Sequence, residues 1–134
     1  MPDFSLDKRL AASTVYALDL AVSRVLVMDD ARYPWLVLVP RRAHLTELFE
    51  LSPTDRVLLT EEIAIAAERL KALTGCHKIN VANLGNVVPQ LHIHIIARNI
   101  GDPAWAGPVW GVGEAVPYEP KALEEFVHSV VHMF

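Results

Sequence analysis

The amino-acid sequence predicts a single domain of the α+β class with a mostly antiparallel sheet, and three observations support this. Short apolar runs typical of strands occupy much of the first 40 residues and recur at residues 78–98. One longer stretch with helical spacing separates these two groups, and a second helical stretch ends the chain. Strands in series, interrupted by one long helix, are typical of α+β domains. The length of 134 residues fits one domain spanning 1–134.

The first half of the chain is predicted to contain an antiparallel hairpin. Leu6 to Thr14 predicts a short helix or an irregular turn, and residues 15–30 predict one or two strands, of which residues 24–28 are the stronger. After the break "ARYP", Trp35 to Pro40 forms a nearly all-apolar strand that the proline ends. Because only a few residues separate the two strands, we expect them to pair antiparallel.

The second half is predicted to run from a long helix through two strands to a closing helix. Ser52 and Pro53 are typical of an N-cap followed by the first helical position, and Gly75 of a C-terminal stop. Residues 78–84 and 91–98 predict the third and fourth strands, with "GNVVPQ" as the turn between them. Lys121 to Met133 predicts the last helix, with its apolar residues on one stripe.

Charge and composition limit the classes of partner. The formal net charge is −4 and the pI is about 5.8, so there is no basic footprint for a DNA or RNA duplex or for an anionic membrane. No apolar run approaches the roughly 18 residues of a membrane span, and the first residues lack the apolar core of a signal peptide. The single cysteine, Cys76, leaves no intrachain disulfide. We therefore expect a cytoplasmic protein without a membrane partner, and a mononucleotide remains open as its ligand.

The stretch "PQLHIHIIAR" places two histidines inside a run that is otherwise typical of a buried strand. Successive side chains of a strand point to opposite faces, so the apolar residues Leu91, Ile93 and Ile95 share the core face. Gln90, His92 and His94 then share the other face, with neighbours about 7 Å apart from the strand rise. A row of three hydrogen-bonding side chains suits a small polar ligand.

The residues alone leave three interpretations of this pair open. Each histidine can be a structural residue whose hydrogen bonds are satisfied. Alternatively, His92 and His94 bind a metal ion together with a third ligand from elsewhere in the chain, either another histidine (His44, His77 or His128) or an aspartate. The third interpretation is nucleophilic catalysis, in which a neutral imidazole attacks phosphorus while its second nitrogen is held by an acceptor.

"QLHIHIIAR" resembles the signature of the histidine triad (HIT) family, in which three histidines alternate with apolar residues. "WLVLVPRRAHL", "INVANLGN" and "GPVWG" resemble further segments of that family in the same order. The resemblance covers roughly residues 23–111 and is strongest to the short bacterial members. It implies a HIT-like fold, a homodimer and a nucleotide substrate.

The resemblance also assigns roles to the three positions of the motif. His92 takes the place of the histidine that attacks the α-phosphorus and forms a nucleotidyl-histidine intermediate, and His94 takes the third place beside the phosphate. Gln90 stands where the family has its first histidine, and it carries no titratable proton. An amine leaving group, which needs a proton, thereby loses a candidate acid, whereas a polyphosphate is stable as an anion and is less affected.

Further positions match residues that contact the ligand in the family. Asn83 matches an asparagine at the ribose or phosphate, and Asn86 offers a donor in the next turn. His44 follows the basic pair Arg41 and Arg42, which offers positive charge, although one residue more than usual separates it from the proline. Asp29 or Asp30 stands where the family places a residue on the ribose hydroxyls. Trp105 and Trp110 lie in a loop that could close over a ligand or a partner.

These assignments predict a nucleotide hydrolase or nucleotidyl transferase of the dinucleoside polyphosphate or nucleoside phosphoramidate type. The mechanism requires no cofactor, although a divalent cation can accompany the nucleotide. Two alternatives from other classes stay open. One is a non-catalytic nucleotide-binding module, and the other is a metal-binding protein that uses His92 and His94.

Overall fold

The computed structural model describes residues 3–134 and contains one five-stranded sheet in which every neighbouring pair is antiparallel. The strands follow the order β1-β2-β3-β5-β4, so β4 forms one edge and β5 lies between β3 and β4. The α+β class is confirmed. In chain order the elements are α1 (Lys8–Ser13), β1 (Thr14–Asp19), β2 (Ser23–Met28), β3 (Trp35–Pro40), a 3₁₀ turn (Leu48–Glu50), α2 (Pro53–Thr74), β4 (Lys78–Ala82), β5 (Ile93–Arg98) and α3 (Pro120–Met133).

Most predicted boundaries agree with these elements, and the predicted hairpin is confirmed by the pairing of β2 with β3. The fourth strand is the main difference, since it begins at Ile93 and not at Leu91. The backbone N–H of Leu91 donates to the carbonyl of Leu45 at 2.9 Å, so this residue is bonded to a loop and lies outside the ladder. The third strand likewise ends at Ala82, two residues before Leu84.

Helix α2 begins and ends where the sequence predicts. The Ser52 hydroxyl accepts from the backbone N–H of Asp55, Pro53 opens the helix, and Gly75 adopts φ 66° while its N–H donates to the carbonyl of Lys71. The helix presents apolar side chains on two sides. One set is buried against the sheet and includes Leu59, Ala66 and Leu70, whereas a second set is exposed: Val57, Leu58, Ile65 and Leu73.

Two apolar clusters pack on opposite faces of the sheet. The cluster on the α2 side contains Leu91, Ile93 and Ile95, as the alternation predicted. The cluster on the other side contains Trp35 and Val109 together with Leu10 of α1. Strand β3 is buried along its whole length because it lies between the two clusters. None of the helices within residues 3–134 has both the length and the apolar character that crossing a bilayer requires.

A buried carboxylate joins α2 to the turn between β1 and β2. Glu62 accepts hydrogen bonds from the backbone N–H groups of Val22 at 2.8 Å and Ser23 at 3.0 Å, and it is only 8% exposed. Each of its oxygens satisfies one buried donor that belongs to no strand ladder. Glu62 therefore fixes the position of the hairpin relative to the helix.

Replacing Glu62 with glutamine should lower the free energy of unfolding by about 1–3 kcal/mol, because the amide nitrogen cannot accept and leaves one buried N–H without a partner. Urea denaturation measures this loss. Glu61→Gln at the exposed neighbouring position is the matched control and should change stability by less than about 0.5 kcal/mol. Equal stability of the two variants would contradict the role given to Glu62.

Candidate active site

His92 and His94 line a cavity of about 210 Å³ on the face of the sheet opposite α2. His94 lies inside β5, opposite Val37 of β3 and Ala82 of β4, so strands on both sides hold its backbone. His92 directly precedes the strand. The rest of the wall comes from α1, from residues 84–88 of the β4–β5 loop, from Met28 at the end of β2 and from Trp110.

A backbone carbonyl orients the ring of His92. Nδ1 of His92 lies 2.6 Å from the carbonyl oxygen of Gln90. Since a carbonyl oxygen can only accept, Nδ1 carries the proton and donates, which leaves the lone pair of a neutral ring on Nε2. The side-chain amide of Asn83 donates to the carbonyl of His92 itself at 2.9 Å and holds the backbone at this position. The arrangement presents Nε2 as an acceptor or nucleophile.

A tryptophan sets the opposite tautomer in His94. The indole Nε1–H of Trp35 donates to Nδ1 of His94 at 3.1 Å, and because an indole nitrogen is only a donor, this Nδ1 carries no proton. A neutral His94 therefore bears its proton on Nε2. Burial lowers the pKa of His94 to about 3, with the charge of a protonated His92 as a second cause. His94 thus stays neutral around pH 7 and offers an N–H donor.

The two rings form a complementary pair. Their centroids lie 4.8 Å apart with planes at 76°, and Trp110 packs edge-on against His94 with a centroid distance of 4.9 Å. One ring offers a lone pair and the other an N–H group. A phosphate group in the cavity would meet a nucleophile for its phosphorus and a donor for one of its oxygens.

At pH 7 we expect His92 as the Nδ1–H tautomer and His94 as the Nε2–H tautomer, which ¹⁵N NMR of the imidazole nitrogens distinguishes.

The lowered pKa of His94 makes the stability of the fold depend on pH. The unfolded chain takes up a proton at His94 near pH 6.5 and the folded chain only near pH 3, so stability is complete above pH 6.5 and is lost as the pH falls. Between pH 6.5 and 4.5 the wild type should lose about 2–3 kcal/mol more than His94→Gln. Equal losses in the two proteins would contradict this.

Gln90 and His44 lie in a neighbouring cavity of about 370 Å³ and not beside the two histidines. The expectation that Gln90, His92 and His94 line one cleft is therefore wrong for Gln90. The physical reason is the N-terminal segment, since the side-chain amide of Gln90 is hydrogen bonded to the backbone of Ser5 and Asp7. His44 adopts φ 62°, a conformation that is uncommon outside glycine. Arg9 lines both cavities.

The two asparagines predicted for the site lie close to it. Asn86 lines the histidine cavity, and Asn83 supports the backbone of His92. Asp30 is buried and makes a two-pronged ion pair with Arg32, while it also accepts from the N–H of Val116. Asp30 therefore lies away from the wall of the histidine cavity and holds the segment that leads to α3.

Other predicted contributors are also engaged elsewhere in the structure. Asp29 accepts from the N–H of Tyr118. Arg42 pairs with Asp55 of α2 at 2.7 Å, and Arg41 donates to the carbonyl of Leu20. The positive charge that was expected from this arginine pair comes instead from Arg9.

Sequence reasoning missed Arg9 and Trp35. Arg9 is separated from the histidines by more than 80 residues, and no spacing rule connects the two. Trp35 offered a weak signal, because a tryptophan at the start of a buried strand needs an acceptor for its N–H group. Within residues 3–134 no group of three or more histidine, cysteine, aspartate or glutamate side chains is placed to hold a metal ion. The metal interpretation therefore lacks a third ligand in the described part of the chain.

The fold and the site together define a class of protein: an antiparallel α+β domain that presents two histidines, hydrogen bonded so as to favour opposite tautomers, at a small cavity. The family model described as HIT domain matches residues 8–100. This chain belongs to the HIT family, which includes hydrolases and nucleotidyl transferases as well as non-catalytic members.

Solved structures agree with this assignment. A histidine triad protein from Sinorhizobium meliloti 1021 is 44% identical, with 98% of this chain and 97% of that chain covered and a TM-score of 0.95. A histidine triad protein from Marinobacter aquaeolei VT8 is 40% identical, with coverages of 98% and 96% and a TM-score of 0.96. A hypothetical histidine triad nucleotide-binding protein from Sulfolobus tokodaii strain7 is 13% identical, covers 90% and 83%, and has a TM-score of 0.68, which shows a shared fold. No curated protein matches the chain.

Proposed function

We propose that this protein is a nucleotide hydrolase or nucleotidyl transferase that acts at the α-phosphorus through a covalent intermediate on His92. The observation that carries the proposal is the hydrogen bond from Nδ1–H of His92 to the carbonyl of Gln90, because it places the lone pair of the neutral ring on Nε2. The name of the Sulfolobus tokodaii protein, which describes it as nucleotide-binding, supports the ligand class.

The reaction proceeds in two displacements. Nε2 of His92 forms a bond to the α-phosphorus while the bond from phosphorus to the leaving group breaks and its electron pair departs with that group. Water or another acceptor then attacks the same phosphorus, loses a proton to solvent, and returns the electron pair to Nε2. His94 donates its Nε2–H to a phosphate oxygen on which charge develops, and its low pKa keeps the ring neutral throughout.

The cavity wall supports a nucleoside as the transferred part. Leu10, Met28, Leu84 and Val88 provide apolar contacts of the kind that a base requires, and Asn86 adds an amide beside them. None of these steps uses a metal ion on the protein. A divalent cation that accompanies the nucleotide would neutralise part of its phosphate charge.

A turnover screen tests the proposal. The purified protein is incubated with dinucleoside polyphosphates, nucleoside phosphoramidates and nucleotide sugars, each with and without EDTA, and the release of a nucleoside monophosphate is followed. Release from at least one class supports the proposal. A rise in melting temperature with nucleotides but no release favours the non-catalytic binding module, and a rise with zinc alone favours the metal-binding protein.

We also propose a homodimer that forms through β4 and α2. Strand β4 is one of the two edge strands of the sheet, and Val81 on it is 50% exposed. A further apolar surface lies on α2, a helix that contacts β4. Its exposed side chains there are Leu58, Ile65 and Leu73. An open edge strand and an apolar helix face are both features that a second copy would cover.

The double variant Val81→Asp/Ile65→Asp should therefore be monomeric, whereas the wild type should be a dimer that buries well over about 1,000 Å² in total. Light scattering at micromolar concentration measures both masses. Val131→Asp on α3 adds one such charge at another exposed apolar position and should leave the dimer intact, whereas Val81→Asp or Ile65→Asp alone should already weaken it. A monomeric wild type would contradict the proposal.

A further inference from the structure

We propose that Gln90 is a positioning residue that holds Arg9 at the histidine cavity, where the Arg9 guanidinium binds the phosphate of an anionic leaving group. This inference rests on the proposed function and deepens it by naming the class of leaving group. It also gives a structural role to Gln90, which stands at the position of the first histidine of the motif.

The side chain of Gln90 binds the N-terminal segment through both polar atoms of its amide. Oε1 of Gln90 accepts from the backbone N–H of Asp7 at 2.8 Å, and Nε2 donates to the carbonyl of Ser5 at 2.8 Å. A glutamine amide carries its acceptor and its donor on one carbon, so it can bridge two backbone groups of an extended segment. The two nitrogens of an imidazole diverge and do not offer this pair of bonds side by side.

Asp7, which Gln90 holds by its backbone, in turn holds Arg9. The carboxylate of Asp7 caps α1 through the N–H of Arg9 and makes a two-pronged ion pair with Nε and NH2 of the same residue at 3.2 and 3.0 Å. NH1 of Arg9 donates to the carbonyl of Val87 in the β4–β5 loop at 2.8 Å. Three contacts thus hold the plane of the guanidinium at the boundary between the two cavities.

Arg9 brings a positive charge with free N–H donors to the histidine cavity. Within the described part of the chain, Arg9 is the one lysine or arginine on the wall of the histidine cavity. Its hydrogen bonds to Asp7 and Val87 use one N–H on each terminal nitrogen, so each of these nitrogens keeps a second N–H for a ligand. The side chain is 56% exposed, so an arriving phosphate can reach it.

A site that offers a fixed positive charge instead of a proton donor favours leaving groups that are stable as anions. When His92 attacks, the bond between phosphorus and the leaving oxygen breaks and its electron pair stays on that oxygen. A leaving phosphate is stable as an anion, and a guanidinium donates hydrogen bonds to it without transferring a proton. An amine leaving group needs a proton, which neither Gln90 nor Arg9 supplies. The preferred substrates are therefore nucleotides whose leaving group is itself a phosphate, as in dinucleoside polyphosphates.

Two substrates with the same nucleotidyl group separate this role from a general loss of structure. Both substrates transfer AMP: the leaving group of diadenosine triphosphate is ADP, which departs through a phosphate oxygen, and the leaving group of an adenosine phosphoramidate of an alkylamine is the amine. For Arg9→Gln, kcat/KM should fall about 10- to 100-fold with the first substrate and less than about threefold with the second. Arg9→Lys should recover part of the loss. Arg56→Gln, an exposed arginine on α2, is the matched control and should equal the wild type with both.

Gln90→Ala tests the positioning role. It should show the same selectivity for the phosphate leaving group, and the double variant Gln90→Ala/Arg9→Gln should lose little more than either single variant. Equal losses with both substrates, an Arg9→Gln enzyme at the wild-type rate, or additive losses in the double variant would overturn the proposal.

A binding measurement separates failure here from failure of the proposed function. If no substrate is turned over by the wild type, the proposed function fails. Arg9 is then tested by calorimetry with a methylene-bridged diadenosine triphosphate and with AMP. Arg9→Gln should weaken the first ligand about tenfold more than the second, and equal weakening would reject the inference.

Discussion

His92→Ala should turn over any substrate of the wild type at least about 10³-fold more slowly, while the affinity for the nucleotide stays within about tenfold. In the proposed mechanism the bond between Nε2 and phosphorus forms only after the ground state. Removing the ring should therefore raise the barrier but leave the contacts of the base, ribose and phosphate with the cavity in place. Single-turnover kinetics and calorimetry with a nucleoside monophosphate measure the two quantities.

The matched control is His128→Ala, which removes a histidine of α3 that lies in another cavity. It should leave kcat and KM unchanged. Quenching the wild-type reaction in alkali should trap a nucleotidyl adduct, since a phosphoramidate bond survives base better than acid, and peptide mapping should place it on His92. A His92→Ala protein with the wild-type rate, or an adduct on another residue, would show that the nucleophile is wrong.

Asp102→Ala should have the largest effect on stability, a loss of about 3–5 kcal/mol, because it leaves a buried arginine without its counter-ion. Arg98 is 1% exposed, and its Nε and NH2 each donate to Asp102 at 2.8 Å. NH1 donates to the side chain of Asn80. Without the carboxylate, two donors and a full positive charge remain in an apolar environment beside Tyr33.

Urea denaturation measures this loss, and Asp19→Ala is the control. Asp19 pairs with Arg24 at 3.1 Å near the surface, so its removal should cost less than about 1 kcal/mol. The loop from residue 99 to residue 111 carries Trp110 to His94, and Asp102 anchors it, so Asp102→Ala should also weaken nucleotide binding. A loss below 1 kcal/mol would mean that the loop rearranges to hydrate Arg98.

Much of the fold could be predicted because its signals are local. The N-cap at Ser52, the stop at Gly75 and the alternation of Leu91, Ile93 and Ile95 each depend on the conformation of a few neighbouring residues, and each is present in the structure. The start of β5 was misplaced because the bond from Leu91 to Leu45 joins segments that are distant in sequence. Alternation alone cannot show which backbone groups belong to the ladder.

The site was predictable only where it follows the strand. The pattern predicts that His92 and His94 share a face of the strand, which the structure shows. It does not predict the tautomer of His94, which depends on the indole of Trp35 on the neighbouring strand. Gln90 was expected beside the histidines because the pattern carries no information about the N-terminal segment that binds its amide. Asp30 lies next to a partner that only the fold reveals, the N–H of Val116.

The acceptor that orients His92 is a backbone atom, the carbonyl oxygen of residue 90. Every amino acid carries this atom, so the orientation of the His92 ring does not depend on which side chain position 90 encodes. A change of side chain at position 90 leaves the acceptor of Nδ1–H in place. The side chain at this position can therefore serve other contacts, as the amide of Gln90 does with the N-terminal segment.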